Sequence, residues 1–512
     1  MMYLCIYMET GYTLHRLIRI ITGIVLAVAL LPFTSAAEER PDSMSYRIET
    51  SGNSATGTYA PLWFTANRYG LSDTRDGSGY IRAGVTYSRR LGKGWSLQAG
   101  ADLAGTVHQA SDFVVQQAYA DIAWRFLHLE VGSRERAGFP LEKNTALSSG
   151  MMVEGPNARP VPQVRIGIPR YLSFPRTGNW LALKGHIAYG MFTDGRWQES
   201  FVQSGQEYTR KVMYHSKSLM LRIGNREKFP VEFEIGMIMA AQFAGDLYVK
   251  NADGSHTLKT AMPKGFKAFA KAFVPMSGGS DSAPGEQVNV EGNHLGSWNF
   301  GLNYYAGQWK FRAYLDHYFD DHSQMTFEYG RWTDGQIGLE ITFPKNPIVT
   351  TVLWEGLSTK DQTGPILYDS FAGTLPEQVS ASDNYYNNYL YLAWQHWGQG
   401  MGNPLLPAPL YNEDGSIHFK SNRVRAHHLG IGGNPSHEWN YRILVSFARH
   451  WGTYQQPLDK QRKQFSSLYE ATYAPQSIEG WSLTVALGLD RGNYLGNSAG
   501  GMLTIRKTGI IF

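Results

Sequence analysis

Apolar and polar residues alternate along most of this chain, and the pattern is clear in IRAGVTYSRRLGKGWSLQAGADLAG, residues 81–105. In the first half Ile81, Ala83 and Val85 share one face, and in the second half Trp95 and Leu97 do the same. A period of two predicts strands, and the Gly-Lys-Gly between the two runs predicts a hairpin. The apolar face of this hairpin could touch either the core of a sandwich or the lipid of a membrane.

The same rhythm of strand, short turn, strand and long loop continues to the end of the chain. The short turns are GKG, the step at 125–127, RTGNW, GNREKFP, AGQ, PKNP, NPSHEW and PQSIEGW. The long connections are 137–164, 193–212, 249–295, 320–335, 358–421 and 491–501. One strand on each side of every short turn, together with the first and last strands, gives about 18 strands. Short turns at one end and long loops at the other are typical of outer-membrane barrels. We therefore predict an all-β fold, a transmembrane antiparallel β-barrel of about 18 strands with long extracellular loops.

The N-terminal segment has the pattern of an export signal. Basic residues precede the apolar run IRIITGIVLAVALL, which ends at Pro32, and the small residues of FTSAAEE follow. This arrangement predicts a secretory signal peptide over 1–37 that is cleaved from an outer-membrane barrel of residues 38–512. The single cysteine, Cys5, lies in the removed part, so we expect no disulfide in the mature chain.

Composition supports a barrel without proving one. Glycine accounts for 55 of 512 residues, aromatic residues for 13 % and charged residues for 18 %, and the mean hydropathy is −0.32. No mature stretch approaches about 20 apolar residues, so a helical membrane span is excluded. A secreted soluble β protein stays open on composition alone. The formal net charge of +4 and the lack of long basic runs give no reason to expect a nucleic-acid partner.

Two segments interrupt the strand rhythm. In AMPKGFKAFAKAFVP, residues 261–275, three phenylalanines share one helical face and three lysines share another. This pattern predicts a short amphipathic helix, and we expect it to fold into the lumen and plug it, the alternative being a helix that lies on the membrane. The segment 358–421 is rich in Tyr, Trp, Asn, Gly and Pro, and it predicts a large extracellular cap.

A group of acids and a histidine follows one predicted strand, in LDHYFDDHSQM. Asp320, Asp321 and His322 could bind a metal or act as a base, but such residues at a strand end are more often turn residues. No nucleophile or second acid stands at a suitable spacing. We therefore assign no catalytic residue, no metal and no cofactor. A hydrolase on the barrel rim that uses Asp321 or His322 is a third hypothesis.

The densest aromatic stretch is SDNYYNNYLYLAWQHWGQGMGNPLL, residues 382–406, in which rings alternate with amides. Aromatic faces stack on the C–H surfaces of sugars, and amides and carboxylates bond sugar hydroxyls. Aromatic packing or a membrane-interface girdle is an equally weighted alternative. The candidate polysaccharide contacts are Asp320, Asp321, His322, Arg331, Trp332, Tyr385, Tyr386, Trp394, His396 and Trp397.

Several motifs resemble those of the capsule-assembly outer-membrane proteins of the Wzi type, in the form found in Bacteroidetes-like bacteria. They are PLWFTANRYG, LSSGMMVEGPNARPVPQVRIGIPRY, MYHSKSLMLRIG, EGNHLGSWNF, LDHYFDDHS and QHWGQGMGNPLLPAPLY. The resemblance implies an 18-stranded barrel with helical elements whose extracellular face binds capsular polysaccharide. Enterobacterial members carry an N-terminal periplasmic helical bundle, and residues 38–75 show no pattern for one.

The leading functional hypothesis is a non-enzymatic, lectin-like barrel in the outer membrane that binds capsular or exopolysaccharide and tethers it to the cell. Its expected partners are that polysaccharide, outer-membrane lipid and lipopolysaccharide, and the polysaccharide export machinery, and we expect a monomer. The alternative is a porin or sugar-specific channel, because about 18 strands can enclose an aqueous pore.

Overall fold

The computed structural model describes residues 42–138, 140–275, 290–320, 325, 333–344, 346–362, 368–369, 378–379 and 383–512. The predicted signal peptide lies outside these residues. Among the described residues, no helix is both long and apolar enough to cross a membrane.

Eighteen antiparallel strands form one closed sheet, as the turn count predicts. They are β1 Ser43–Thr56, β2 Gly79–Gly92, β3 Trp95–Val107, β4 Phe113–Trp124, β5 Leu127–Ser133, β6 Gln163–Ser173, β7 Leu181–Met191, β8 Met213–Ile223, β9 Val231–Phe243, β10 Asn293–Ala306, β11 Trp309–Phe319, β12 Gly335–Thr342, β13 Thr351–Ser358, β14 Val424–Gly433, β15 Trp439–Gly452, β16 Pro457–Tyr473, β17 Trp481–Gly492 and β18 Ser498–Ile510. Each strand pairs with its neighbours in the chain, and β1 pairs with β18, with Ser45 opposite Ile510, which closes the barrel.

All eight predicted short turns join barrel strands at one end, which we call the short-turn end. The other end, called the long-loop end, carries the six longest connections. Its other three connections, 108–112, 453–456 and 493–497, are short, so the long connection predicted at 491–501 is wrong. The sequence pattern missed one of the six longest connections: residues 57–78, which join β1 to β2. These residues contain Gly, Pro and a single buried helical turn, and they give no strand signal.

Alternation along each strand separates an apolar outer wall from a polar inner wall. On β17 the alternate residues Leu483, Val485 and Leu487 are exposed. Ala486 and Asp490, which have the opposite parity, are buried. Six tryptophans ring the barrel beside the short turns, each 38–48 % exposed: Trp95, Trp124, Trp180, Trp309, Trp439 and Trp481. An apolar outer band bordered by an aromatic girdle is the surface that a membrane-spanning barrel presents to lipid.

Smaller elements lie in the long connections. Three short helices are present among the described residues: α1 Leu62–Thr65, α2 Gly195–Phe201 and α3 Phe266–Phe273. A three-stranded sheet and two 3₁₀ turns accompany them, with bounds Glu207–Arg210, Asp246–Lys250, His256–Ala261, Pro175–Thr177 and Pro409–Tyr411. Two-residue strands occur at Tyr368–Asp369, Gln378–Val379, Asn387–Asn388, Leu392–Ala393, Gln395–His396 and Gln399–Gly400.

Three loop segments, 57–78, 140–162 and 383–421, lie inside the barrel, and we call them together the lumen plug. Their backbone and side chains bond the inward-facing side chains of the wall. Asp490 of β17 accepts the backbone N–H of Leu62 at 2.9 Å, and Gln242 of β9 donates to the carbonyl of Ala393 at 3.1 Å. Residues 383–421, the larger described part of the segment predicted as an extracellular cap, thus descend into the lumen.

The predicted plug helix is present, as α3, but it lies on the outer wall. The side chains that contact α3 alternate with inward-facing residues and therefore point outward. Tyr189 donates a hydrogen bond to the carbonyl of Phe269 at 2.9 Å, and the rings of Phe243 and Phe269 lie 5.0 Å apart. The prediction failed because an amphipathic helix fits any partly apolar wall, and its own sequence does not distinguish the inside of a barrel from the outside.

Candidate functional site

The NARPVP block is the hub of the lumen plug. Asn157 accepts the backbone N–H of Asn67 at 3.0 Å and donates to the carbonyl of Gly400 at 2.9 Å. Its side-chain amide therefore bonds the other two plug segments. Two residues further on, the carbonyl of Arg159 accepts Nδ1 of His396 at 2.8 Å. A single short motif thus joins all three segments.

The LSSG motif anchors the plug to the inner wall. Glu355 of β13 accepts three hydrogen bonds of 2.7 Å, from the hydroxyls of Ser148 and Ser149 and from the backbone N–H of Ser149. Nearby, the ammonium of Lys143 lies 2.9 Å from a carboxylate oxygen of Asp316 on β11. Buried charges are stable only when they are paired in this way, so the two contacts hold the segment firmly.

Four of the predicted polysaccharide contacts are buried within the lumen plug. Tyr385 donates to Asp334 at 3.1 Å, Tyr386 donates to the carbonyl of Met152, and Trp394 donates to the carbonyl of Val153 at 2.8 Å. These bonds satisfy the polar atoms of side chains that are at most 1 % exposed. In this structure the three rings pack the interior of the plug, which is one of the two roles that the sequence analysis left open. Sugar contact by these rings stays a prediction.

His396 is also buried, and its hydrogen bonds define its protonation. Nε2 accepts the backbone N–H of Thr193 at 3.1 Å, so Nδ1 carries the proton that it donates to the carbonyl of Arg159. Burial lowers the pKa of His396 below its usual value, which keeps the ring neutral. Both ring nitrogens are occupied, and His396 serves to orient the plug.

Trp397 differs from its neighbours because part of its ring stays accessible. Its indole lies under the guanidinium of Arg159, 4.1 Å from the ring centre. Burial lowers the pKa of Arg159 to about 10, so the guanidinium is still charged at neutral pH. The sequence predicted four aromatic contacts that the structure describes, Tyr385, Tyr386, Trp394 and Trp397. Trp397 alone among these four has a partly open ring face.

The remaining predicted site residues give less information. Asp320 accepts a hydrogen bond from Tyr318 at 3.1 Å. Asp321, His322, Arg331 and Trp332 lie outside the described residues. Within the described part of the chain, no group of three or more His, Cys, Asp or Glu residues could hold a metal ion.

A cleft of about 440 Å³ opens at the long-loop end, and we call it the rim cleft. Four separate segments form it: the β1–β2 loop, the turn after β3, helix α2 and the plug near the 3₁₀ turn Pro409–Tyr411. Its lining residues are Thr58, Tyr59, Asp73, Thr74, Arg75, Gln109, Ala110, Trp197, Ser200, Phe201, Leu410, Tyr411, Asn412 and Glu413. The volume is within the range of small-molecule sites.

Aromatic rings stand on two sides of the rim cleft. The rings of Trp197 and Phe201 stack at 4.7 Å on α2, and those of Tyr59 and Tyr411 meet edge to face at 5.2 Å on the other side. Tyr59 is fixed in place because its hydroxyl donates to the carbonyl of Tyr411 at 2.8 Å and to Glu413 at 3.1 Å. Burial and the nearby Glu413 raise the pKa of Tyr59 to about 12, so it remains a neutral donor.

Polar groups between these rings supply hydrogen bonds and charge. The guanidinium of Arg75 forms a bidentate pair with Asp73 at 3.0 and 3.1 Å, and its side chain is 55 % exposed. Gln109 is buried, and its Oε1 accepts no hydrogen bond from the described residues, while its amide donates to the carbonyl of Gly79. Rings together with a cation, an amide and carboxylates can bind a hydroxyl-rich or acidic ligand.

Sequence reasoning did not find the rim cleft. Its residues are up to about 350 positions apart, and none of its four segments is dense in aromatic residues. The one local signal was GRWQESF, residues 195–201, which places Trp197 and Phe201 one helical turn apart on one face.

A second cavity, of about 1060 Å³, lies against the inner wall on the side of β1 to β4. Two of its lining cations are paired with carboxylates: Arg47 lies 2.6 Å from Asp102, and Arg134 lies 2.9 Å from Glu130. These two arginine side chains are 27–28 % exposed, against 55 % for Arg75 of the rim cleft, so they have less to offer a ligand. We do not assign this cavity a ligand.

Comparison with known proteins supports the architecture. No protein-family model matches the sequence, and no curated protein is significantly similar to it. Among solved structures, Wzi from Escherichia coli, an outer membrane protein involved in group 1 capsule assembly and a carbohydrate-binding β-barrel, matches with a TM-score of 0.56. The identity is 12 %, over 90 % of this chain and 83 % of that chain. OccAB4 of Acinetobacter baumannii matches 94 % of this chain and all of its own at 10 % identity, with a lower TM-score of 0.44. The match to Wzi therefore shows the fold, a closed β-barrel, which in this chain has 18 strands.

Proposed function

We propose that this chain is a non-enzymatic protein of the outer membrane that binds an exported polysaccharide in the rim cleft and holds it at the cell surface. The observation that carries the proposal is the rim cleft itself, with aromatic rings on two sides and polar groups between them. The long-loop end would then face the cell exterior.

The lumen plug supports this function by giving the cleft a rigid floor. Tyr411 and Glu413 belong to a plug segment that is bonded to the other two segments and to the wall, so ligand binding requires little ordering of loops. A preformed site loses less conformational entropy on binding than a mobile one does. The solved barrel to which this chain is similar, Wzi, is itself described as carbohydrate-binding.

The rim cleft would recognise sugar by stacking and hydrogen bonding. Phe201 and Tyr411 present ring faces or edges to C–H surfaces, and Gln109 and Glu413 bond hydroxyls. Arg75 adds a charge for acidic sugars and makes the strongest single contact if the polymer carries carboxylates. The partly open ring of Trp397, which packs against the buried guanidinium of Arg159, would provide a second stacking surface for the polymer.

The test compares cell-bound with shed capsular polysaccharide in the wild type, a strain lacking the gene, and a strain carrying Phe201→Ala with Arg75→Ala. A matched control carries Tyr389→Ala with Lys420→Ala, which removes an exposed ring and a cation outside the cleft. Each variant is first shown to reach the outer membrane folded.

We expect shedding in the deletion and cleft strains and retention in the control. With the purified proteins, the cleft variant should bind the extracted polysaccharide about 10 to 150 times more weakly, because a lost stacking contact and a lost charge-assisted bond together cost about 1.5–3 kcal/mol. Equal retention in the deletion strain and the wild type would overturn the tethering function. Shedding by the deletion strain alone would move the binding site away from the cleft.

A further inference from the structure

Helix α3 lies on the part of the outer wall where the apolar surface is interrupted. On the three adjacent strands β8, β9 and β10, the outward-facing residues His215, Ala241 and His294 stand side by side. Lys217, two residues after His215 on β8 and nearer the short-turn end, also faces outward. Polar groups on the lipid-facing side of a barrel are costly, so this part of the wall needs a cover.

Helix α3 supplies that cover. Ala268 and Ala272 are 2 % exposed, and Phe269 packs on Tyr189 and Phe243. The ammonium of Lys217 donates to the carbonyl of Phe273, at the C-terminal end of α3, where a cation favours the helix dipole. The helix is thus fixed to the wall at its centre and at its C-terminal end.

The opposite face of α3 is apolar and basic at the same time. Phe266 is 88 % exposed, and Lys264 and Lys267 flank it in the chain. Residues 261–275 contain three lysines and no acid. Lys264 pairs with Asp246 at 2.6 Å, whereas Lys267 has no ion pair within the described residues.

The height of α3 on the wall places it at the membrane surface. Trp180 belongs to the tryptophan girdle at the short-turn end and immediately precedes β7. Ile187, which pairs with Lys217, lies seven residues further along the chain, and Tyr189 lies nine residues further. At about 3.3 Å per residue and a tilt near 40°, this separation corresponds to roughly 18–23 Å. The apolar band of such barrels is about 25 Å tall, so α3 lies at its upper edge.

We propose that α3 is a binding site for anionic lipid of the outer leaflet, with Phe266 inserted among the acyl chains and Lys264 and Lys267 bound to headgroup phosphates. An exposed aromatic ring between lysines is the combination by which short interfacial helices hold a charged membrane surface. The lipid chemistry that fits is a phosphorylated glycolipid of the lipid A class. The inference requires an outer-membrane location and is independent of polysaccharide binding.

The test measures binding of lipid A carrying its phosphates to the full chain in neutral-lipid nanodiscs, with dephosphorylated lipid A as the second probe. The variants are Lys264→Gln with Lys267→Gln, and Phe266→Ser. The matched control is Lys460→Gln with Lys463→Gln, which removes the same charge from exposed lysines elsewhere at the long-loop end. Resistance to unfolding on heating checks that every variant is folded.

Each lysine near an anionic surface contributes about fivefold in affinity. The double lysine variant should therefore bind phosphorylated lipid A about five to twenty-five times more weakly, and lose the preference over the dephosphorylated probe, while the control binds as the wild type does. Phe266→Ser should weaken binding of both probes. Unchanged binding in the lysine variant, or an equal loss in the control, would overturn the proposal.

Discussion

At the scale of single residues, two neighbouring tryptophans of one motif have different surroundings. Trp394 is fully buried, with its ring near Phe192 and Tyr214 and its indole N–H on the carbonyl of Val153. Three positions later, Trp397 keeps part of its ring open beside a charged guanidinium. The same residue type in the same stretch therefore serves packing in one case and is available for binding in the other.

Truncating these two rings should have separable effects. Trp394→Ala should lower the local free energy of unfolding of the plug by about 3–5 kcal/mol, because it leaves a large cavity and an unpaired carbonyl. Trp397→Ala should lower it by about 1 kcal/mol, the size of a lost cation–π contact. Hydrogen exchange of the amides of residues 384–400 measures both. Equal destabilisation by the two variants would contradict this assignment.

At the scale of elements, Asp334 joins three segments just before β12. Its carboxylate accepts the backbone N–H groups of Asp361 and Gln362 at 3.2 and 2.6 Å, and the hydroxyl of Tyr385 at 3.1 Å. Burial outweighs these bonds and raises the pKa of Asp334 to about 6. The contact between the plug and the residues that follow β13 therefore depends on the protonation of one group.

This contact should weaken as the pH rises. The folded state binds a proton more tightly than the unfolded chain, whose Asp has a pKa near 3.8, so the contribution is complete below about pH 4 and is lost as the pH rises through about 6. Hydrogen-exchange protection of residues 384–388, corrected for the intrinsic rate, should fall about tenfold between pH 5 and pH 7.

The pH dependence should disappear in Asp334→Asn, which does not titrate. Asp414→Asn, a change at an exposed carboxylate of the same plug segment, should keep it. Protection that is constant or that rises from pH 5 to pH 7 in the wild type would show that the carboxylate is already ionised in the folded protein.

At the scale of the whole molecule, an 18-stranded wall is wide enough for an aqueous pore, and the plug occupies its interior. The plug bonds nearly opposite parts of the wall: Ala393 accepts a hydrogen bond from Gln242 of β9, and Leu62 donates one to Asp490 of β17. These contacts favour a closed barrel over the alternative hypothesis of a porin or sugar-specific channel.

In planar bilayers the wild type should therefore conduct far less than an open barrel of this size. Replacing residues 143–156 by a short Gly-Ser linker should raise the conductance several-fold, because the plug segment that bonds Asp316 and Glu355 of the inner wall is removed. Shortening the tip at residues 413–415 controls for the loss of loop length. Steady, large conductance in the wild type would favour the channel.

The sequence by itself determined the barrel, because strand alternation and turn residues are local signals. The eight short turns and the count of 18 strands followed directly. The motifs NARPVP and LSSG, noted only for the family resemblance they carry, turned out to be the anchors of the plug. Tertiary structure alone decided which face of the wall α3 covers, since a helix with one apolar face fits either side. It also decided which aromatic rings are buried and which are open, and it assembled the rim cleft from four distant segments. These outcomes depend on strand register and on which side chains point inward, and no local pattern contains that information.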